Sequence, residues 1–167
     1  MGRKILHLLI ITVVLGSTRL AFGQQAIFLV RHTEQDGLPS VVDDPALTEV
    51  GHRRAQALAR VLKDAGVNVI YTTERRRSIQ TSEPISESLN IKIKIHPAQD
   101  RDGLISRLRT QHANDRVLIV SHSLTLPRLL KALGYPQDIM IASEEYDNLF
   151  VIVPKNDGSP LVLRLRY

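Results

Sequence analysis

Residues 26–34 read Ala26-Ile27-Phe28-Leu29-Val30-Arg31-His32-Thr33-Glu34, an unbroken apolar run that stops at an arginine and a histidine. So short a run suits a strand covered on both faces, as the strands of a parallel sheet are. The pattern recurs further on, where Val117-Leu118-Ile119-Val120 is followed by Ser121-His122. Each copy sets a histidine two residues past a buried strand. Open parallel sheets bind ligands at the carboxyl ends of their strands. If the two strands are parallel neighbours, His32 and His122 reach one crevice.

The chain on either side fits such a sheet. After a loop over 33–47, punctuated by Gly37, Pro39, Asp43, Asp44 and Pro45, Thr48 is placed to cap a helix reaching Ala65. Leu58, Val61, Leu62 and Ala65 mark its inner face at helical spacing, and Gly66 ends it. A strand over 67–71 leads into a helix over 75–89, which Pro84 should kink or restart. Ile91, Ile93 and Ile95 alternate with lysines, the pattern of a half-exposed strand. Helices over 104–112 and 124–133 bracket the second strand-histidine unit. Runs 149–153 and 161–165 read as a hairpin around Asn156-Asp157-Gly158. Alternating strands and helices predict an α/β fold, a three-layer α/β/α sandwich on a mainly parallel sheet. No linker divides residues 24–167, so they read as a single domain.

The first 23 residues differ. Arg3 and Lys4 precede the apolar run Ile5–Leu15, Gly16 to Thr18 break it, and Ala21-Phe22-Gly23 supplies small residues. This is the order of a cleavable secretory signal peptide, with cleavage expected before Gln24 and a secreted or periplasmic product. The run is shorter than the roughly 20 residues that span a bilayer and His7 interrupts it, so no stable membrane anchor is expected after cleavage. With no cysteine in the chain, a lipid-anchored lipoprotein is excluded. The formal charge of +5 falls by three when Arg3, Lys4 and Arg19 leave. Aromatic residues make up 4% and there is no Trp, which argues against a nucleic-acid partner.

Between the two histidine units lies Tyr71-Thr72-Thr73-Glu74-Arg75-Arg76-Arg77-Ser78-Ile79-Gln80-Thr81, again at a strand's carboxyl end and opening a helix. Cations at a helix N-terminus are mildly unfavourable, so three in a row ask for an anion. A phosphoryl group suits the whole set. Its transfer needs a nucleophile, positioning and charge stabilisation. Guanidinium groups of Arg31 and Arg77 can each clamp phosphate oxygens. A neutral imidazole can attack phosphorus if an acceptor holds its other nitrogen. The second histidine, kept cationic by the phosphate, would donate to an equatorial oxygen, and a carboxylic acid must protonate the leaving alcohol.

With these motifs in this order the chain resembles the histidine phosphatase superfamily (phosphoglycerate-mutase-like), in its short bacterial branch, over nearly all of residues 24–167. LVRHTE (29–34) is similar to that family's nucleophile signature, ALTEVGHRRAQALA (46–59) to the helix that follows, YTTERRRSIQTSEPI (71–85) to its arginine motif and VLIVSHSLTLPRLLKALG (117–134) to its second-histidine motif. The resemblance implies that His32 is the nucleophile and Arg31 a phosphate ligand. Counting back from Gln80-Thr81 makes Arg77 the catalytic arginine, and His122 the second histidine. Arg75 and Arg76 are left as a solvated helix start. The implied function is a phosphomonoesterase without cofactor or metal, working through a phosphohistidine on a phosphorylated small molecule or phosphoprotein.

Two departures matter. Thr33 stands where the family has Gly or Ala and should narrow the pocket. The long insertion that carries the acid in phosphoglycerate mutases has no counterpart between Ser82 and Arg116, which also disfavours a mutase. Asp100 is the preferred acid, with Asp102, Glu34 or a substrate-assisted route as alternatives; both aspartates could equally cap the next helix. Without a proper acid, the chain would be a catalytically weak phospho-ligand-binding module. His52, His96 and His112 read as surface residues. A metal on His32 and His122 would want a third ligand, and two nearby arginines make a cation unwelcome.

Overall fold

The computed structural model describes residues 26–37, 43–155 and 158–167. The expected signal peptide, its cleavage point at Gln24 and the hairpin tip at Asn156-Asp157 lie outside the described residues. Six strands form one sheet in the order β3-β2-β4-β1-β5-β6. The four parallel strands are β1 (Ala26–Arg31), β2 (Val69–Thr72), β3 (Ile93–Ile95) and β4 (Arg116–Ser121). The hairpin β5 (Asn148–Val153) and β6 (Leu161–Arg166) joins antiparallel on β1. Helices α1 (Glu49–Leu62) and α2 (Arg76–Leu89) cover one face, and α3 (Arg101–Thr110) and α4 (Leu126–Ala132) the other.

The period of two along β1 splits its apolar run between the layers. Ile27 and Leu29 pack with Leu104, Leu108, Leu126 and Leu129, whereas Phe28 and Val30 pack with Leu58, Leu62 and Ile85. A strand buried on both faces takes apolar residues along its length, and the polar residues of β1 begin at Arg31, its last residue.

Element ends moved for identifiable reasons. Thr48 caps α1 by accepting the Gly51 N–H, as its sequence position implied, but the helix stops at Leu62. Helix α2 runs through Pro84 without a break, so it is not restarted there. It ends at Asn90, whose φ of 53° is the left-handed conformation asparagine tolerates. Helix α3 starts three residues before its expected first turn because Asp100, not a later residue, caps it. His96 and His112 are buried, a correction to their reading as surface residues; His52 is exposed as expected. His112 lies between the Tyr71 hydroxyl (3.0 Å) and the Asp115 carboxylate (2.7 Å), partners that make an imidazole acceptable in a core.

Candidate active site

β1 and β4 are parallel neighbours in a register that pairs Arg31 with Ser121. The residues that follow, His32 and His122, therefore emerge side by side, with ring centroids 5.3 Å apart. The His32 N–H continues the ladder onto the Ser121 carbonyl at 2.9 Å. Helix α2 brings the third member: Arg77 Nε lies 3.1 Å from His32 Nε2.

These contacts settle the state of His32. An arginine N–H can only donate, so Nε2 carries a lone pair; the Thr33 carbonyl, 2.9 Å from Nδ1, can only accept, so Nδ1 carries the proton. The ring is neutral and presents Nε2 as a base or nucleophile. Its environment keeps it so: burial, with smaller contributions from His122, Arg77 and Arg31, pushes its pKa down to about 3.

His122 bonds the Thr73 hydroxyl through Nε2 at 3.0 Å. Burial and then Arg77 bring its pKa down to about 4, so this histidine is neutral in the ligand-free protein rather than standing ready as a cation. Only an anion in the site could restore the charge expected of it.

Three buried nitrogens around His32 have no hydrogen-bond partner: Arg31 Nε, Arg77 Nη1 and His122 Nδ1. A buried donor left unpaired costs about 1–3 kcal/mol. Arg77 Nη1 has a carboxylate in range only at 3.8 Å, from Asp44. Burial holds both guanidinium pKa values below the ordinary range, with Tyr146 partly offsetting this at Arg31 and Asp44 at Arg77. Arginine remains cationic regardless. Together these groups form a positively charged cluster whose unsatisfied guanidinium donors suit a small polyoxygenated anion.

The two aspartates weighed as the acid have local partners. Asp100 accepts the Gly103 N–H at 3.0 Å as the cap of α3, and its side chain is 55% exposed. Asp102 is paired with Arg101 at 2.8 Å and is more exposed still. Among the described residues, no hydrogen bond joins either to His32, His122, Arg31 or Arg77. Glu34 is turned to Arg54, 2.7 Å away, and raises that guanidinium's pKa. Thr33 is fully buried, donates to the Gly51 carbonyl at 2.9 Å, and its N–H bonds Thr81 Oγ1 at 3.0 Å, so it ties the nucleophile segment to α1 and α2.

Three residues of the site were not singled out in the sequence. Thr73 sits at the end of β2, a position from which a hydroxyl could have been anticipated beside a crevice histidine. Asp44 read only as loop punctuation, yet it accepts the Arg76 N–H at 3.1 Å and so anchors the start of α2. Tyr146, whose ring centroid is 6.2 Å from that of His32, comes from an irregular segment with no periodicity to mark it. Among the described residues, no group of three His, Cys, Asp or Glu is placed to hold a metal ion, and no helix is long and apolar enough to cross a membrane.

The sequence model of the histidine phosphatase superfamily (branch 1) matches residues 27–100, a span that includes Arg31, His32 and Arg77. No curated protein matches the chain in sequence. Among solved structures, the protein histidine phosphatase SixA complexed with tungstate superposes with a TM-score of 0.70 at 18% identity, covering 84% of this chain and 96% of that one. A mycobacterial glucosyl-3-phosphoglycerate phosphatase with inorganic phosphate gives 0.64 at 14%, covering 85% and 96%. A phosphoserine phosphatase mutant from Entamoeba histolytica with phosphoserine gives 0.64 at 14%, covering 83% and 94%. At such identities the likeness shows the fold, which is that of the phosphoglycerate-mutase-like histidine phosphatases.

Proposed function

We propose, from the premise that this chain has the fold and, over residues 27–100, the sequence of the histidine phosphatase superfamily, that it is a metal-independent phosphomonoesterase. The observation that carries this is the set of buried, unpartnered nitrogens on Arg31, Arg77 and His122 arranged around a histidine whose Nε2 lone pair is fixed. In the first step His32 Nε2 attacks phosphorus, the P–N bond forms and the ester P–O bond breaks. The leaving oxygen takes a proton from an acid or from water. In the second step water attacks phosphorus, the P–N bond breaks, and inorganic phosphate leaves. Arg31 and Arg77 balance the charge on the phosphoryl oxygens, and His122, recharged by the anion, donates to one of them.

The engagement of Asp100 as the cap of α3 and of Asp102 with Arg101 is the observation behind a second reading as a weakly catalytic phospho-ligand-binding module. The test is hydrolysis of p-nitrophenyl phosphate and of an alkyl phosphate in EDTA, with His32→Ala alongside, and trapping of acid-labile phosphate on His32. EDTA-resistant turnover that the substitution abolishes, with label on His32, supports the enzyme. Phosphate binding without turnover or label leaves the binding module. Export is part of the same proposal: the order of basic, apolar and small residues over 1–23 supports it. Exported protein whose N-terminus is not Gln24 would overturn that cleavage point.

A further inference from the structure

Arg31 is held from outside the motif that contains it. Its Nη1 points at three carbonyls of one turn, those of Ala142 (3.2 Å), Ser143 (2.7 Å) and Glu145 (3.4 Å). The turn is closed on itself by the Ala142 N–H, which donates to the Glu145 carboxylate at 2.9 Å. The next residue, Tyr146, lays its ring face against the same guanidinium, with Cζ 3.9 Å from the ring centroid. The carbonyls fix one end of the guanidinium, and a flat ring at van der Waals distance fixes its plane, so rotation about the Nη1 end is blocked. What remains of the Arg31 donor set includes the buried, unpartnered Nε.

The chain's last strand secures this device. Tyr167 donates its hydroxyl to the Tyr146 carbonyl at 3.1 Å and its backbone N–H to the Asp147 carbonyl at 3.2 Å. Arg164 and Arg166 reach Glu145 at 3.2 and 2.6 Å, and Arg166 also reaches Asp147. The segment 142–147 is thus clamped between β6 and Arg31. A ring that only filled space would have no reason to lie flat on a cation.

We propose that Tyr146 is a positioning residue, its ring holding the Arg31 guanidinium in the orientation that binds the phosphoryl group. The inference rests on the reading of this site as a phosphate site. A cation–π contact in a partly desolvated site corresponds to roughly tenfold in binding. Removing the ring weakens phosphate binding and raises KM by about that factor, with kcat changing less, because Arg31 serves bound substrate and transition state alike.

The experiment measures the inhibition constant and calorimetric affinity of inorganic phosphate, with KM and kcat on p-nitrophenyl phosphate, for the wild type, Tyr146→Phe and Tyr146→Leu. The same measurements are made on Tyr146→Leu in an Arg31→Ala background. Thermal unfolding accompanies each. Tyr146→Phe, which keeps the ring, stays within about twofold of the wild type. Tyr146→Leu loses about tenfold in phosphate affinity, and loses nothing further once Arg31 is gone. Unchanged affinity in Tyr146→Leu overturns the inference, as does an undiminished loss in the Arg31→Ala background. A loss in Tyr146→Phe equal to that in Tyr146→Leu assigns the effect to the hydroxyl and overturns it too. Wild-type protein that binds phosphate but does not turn over overturns the phosphatase reading and leaves the positioning test standing.

Discussion

Acidification should unfold this protein through its two site histidines. Both fold into positions that hold them neutral, with pKa values near 3 for His32 and near 4 for His122 against an ordinary value of 6.5. A base whose pKa is depressed on folding contributes stability that is complete above its unfolded pKa. That stability is lost as the pH falls from there towards the folded value. At pH 5 neither ring titrates appreciably in the folded state, so the loss depends on the unfolded pKa alone. It comes to about 2 kcal/mol per histidine relative to pH 7, or about 4 kcal/mol for the pair. That is a large part of a typical stability of roughly 5–15 kcal/mol. Urea unfolding at pH 7 and pH 5 in phosphate-free buffer, on the wild type and on His32→Gln, isolates one share. Carboxylates such as Glu145 and Asp115, whose folded pKa values are lowered, are common to both proteins and cancel in the comparison. The wild type should lose about 2 kcal/mol more than the variant between the two pH values. Equal losses would mean that His32 is not held neutral by burial, and the account of its lone pair would go with it.

Two further outcomes follow from close contacts. A methyl group on Gly51 would lie 2.2 Å from the Glu34 carbonyl oxygen, a backbone atom two residues past the nucleophile. Gly51→Ala should therefore cost about 1–3 kcal/mol in unfolding measurements and lower turnover by shifting the His32 segment; unchanged stability and activity would contradict the packing described. Asp100 caps α3, so Asp100→Ala should cost about 1 kcal/mol in chemical unfolding and Asp100→Asn much less. If both substitutions cut alkyl phosphate turnover equally while Asp100→Asn stays fully stable, Asp100 is the acid.

The parallel strands were legible because burial on both faces leaves an unmistakable apolar run, and the two histidines were legible because each ends such a run. Arg77 was not selected by chemistry among three adjacent arginines; the motif spacing chose it, and in the structure it is the arginine bonded to His32. What the sequence hid was burial of polar side chains. His96 and His112 each stand at the end of an element read from the sequence, where its pattern no longer orients a side chain, and their burial depends on partners that pattern does not mark. For His96 one is the nearby Asp100 carbonyl, and for His112 the Tyr71 hydroxyl, distant in sequence. The tie that Thr33 makes to Gly51 was hidden for a similar reason, since the packing of α1 against the nucleophile segment decides where its hydroxyl goes. Tyr146 shows the limit most clearly. Residues 134–147 carry no periodic signal, and only the tertiary clamp from β6 brings that ring to Arg31.

The contact between Arg77 and His32 also bears on how the proposed reaction begins. Nε2 has one lone pair, and in the ligand-free protein that pair accepts the Arg77 Nε–H. The same pair cannot accept this bond and attack phosphorus. On the proposed mechanism, an arriving phosphate monoester must draw the Arg77 donor onto its own oxygens, and in doing so it uncovers the nucleophile. The proton on Nδ1 stays with the Thr33 carbonyl throughout, so the ring keeps its tautomer as its other nitrogen changes partner. On this mechanism an anion that pairs with Arg77 Nη1, Arg31 Nε and His122 Nδ1 gives three buried nitrogens a partner and frees the attacking atom in a single event. A neutral ester offers those donors little, leaves Arg77 on Nε2, and meets a histidine whose lone pair is already engaged. On the proposed mechanism, selection for a phosphate monoester over a neutral ester would be built into the nucleophile's own hydrogen bond, before any contact with the leaving group.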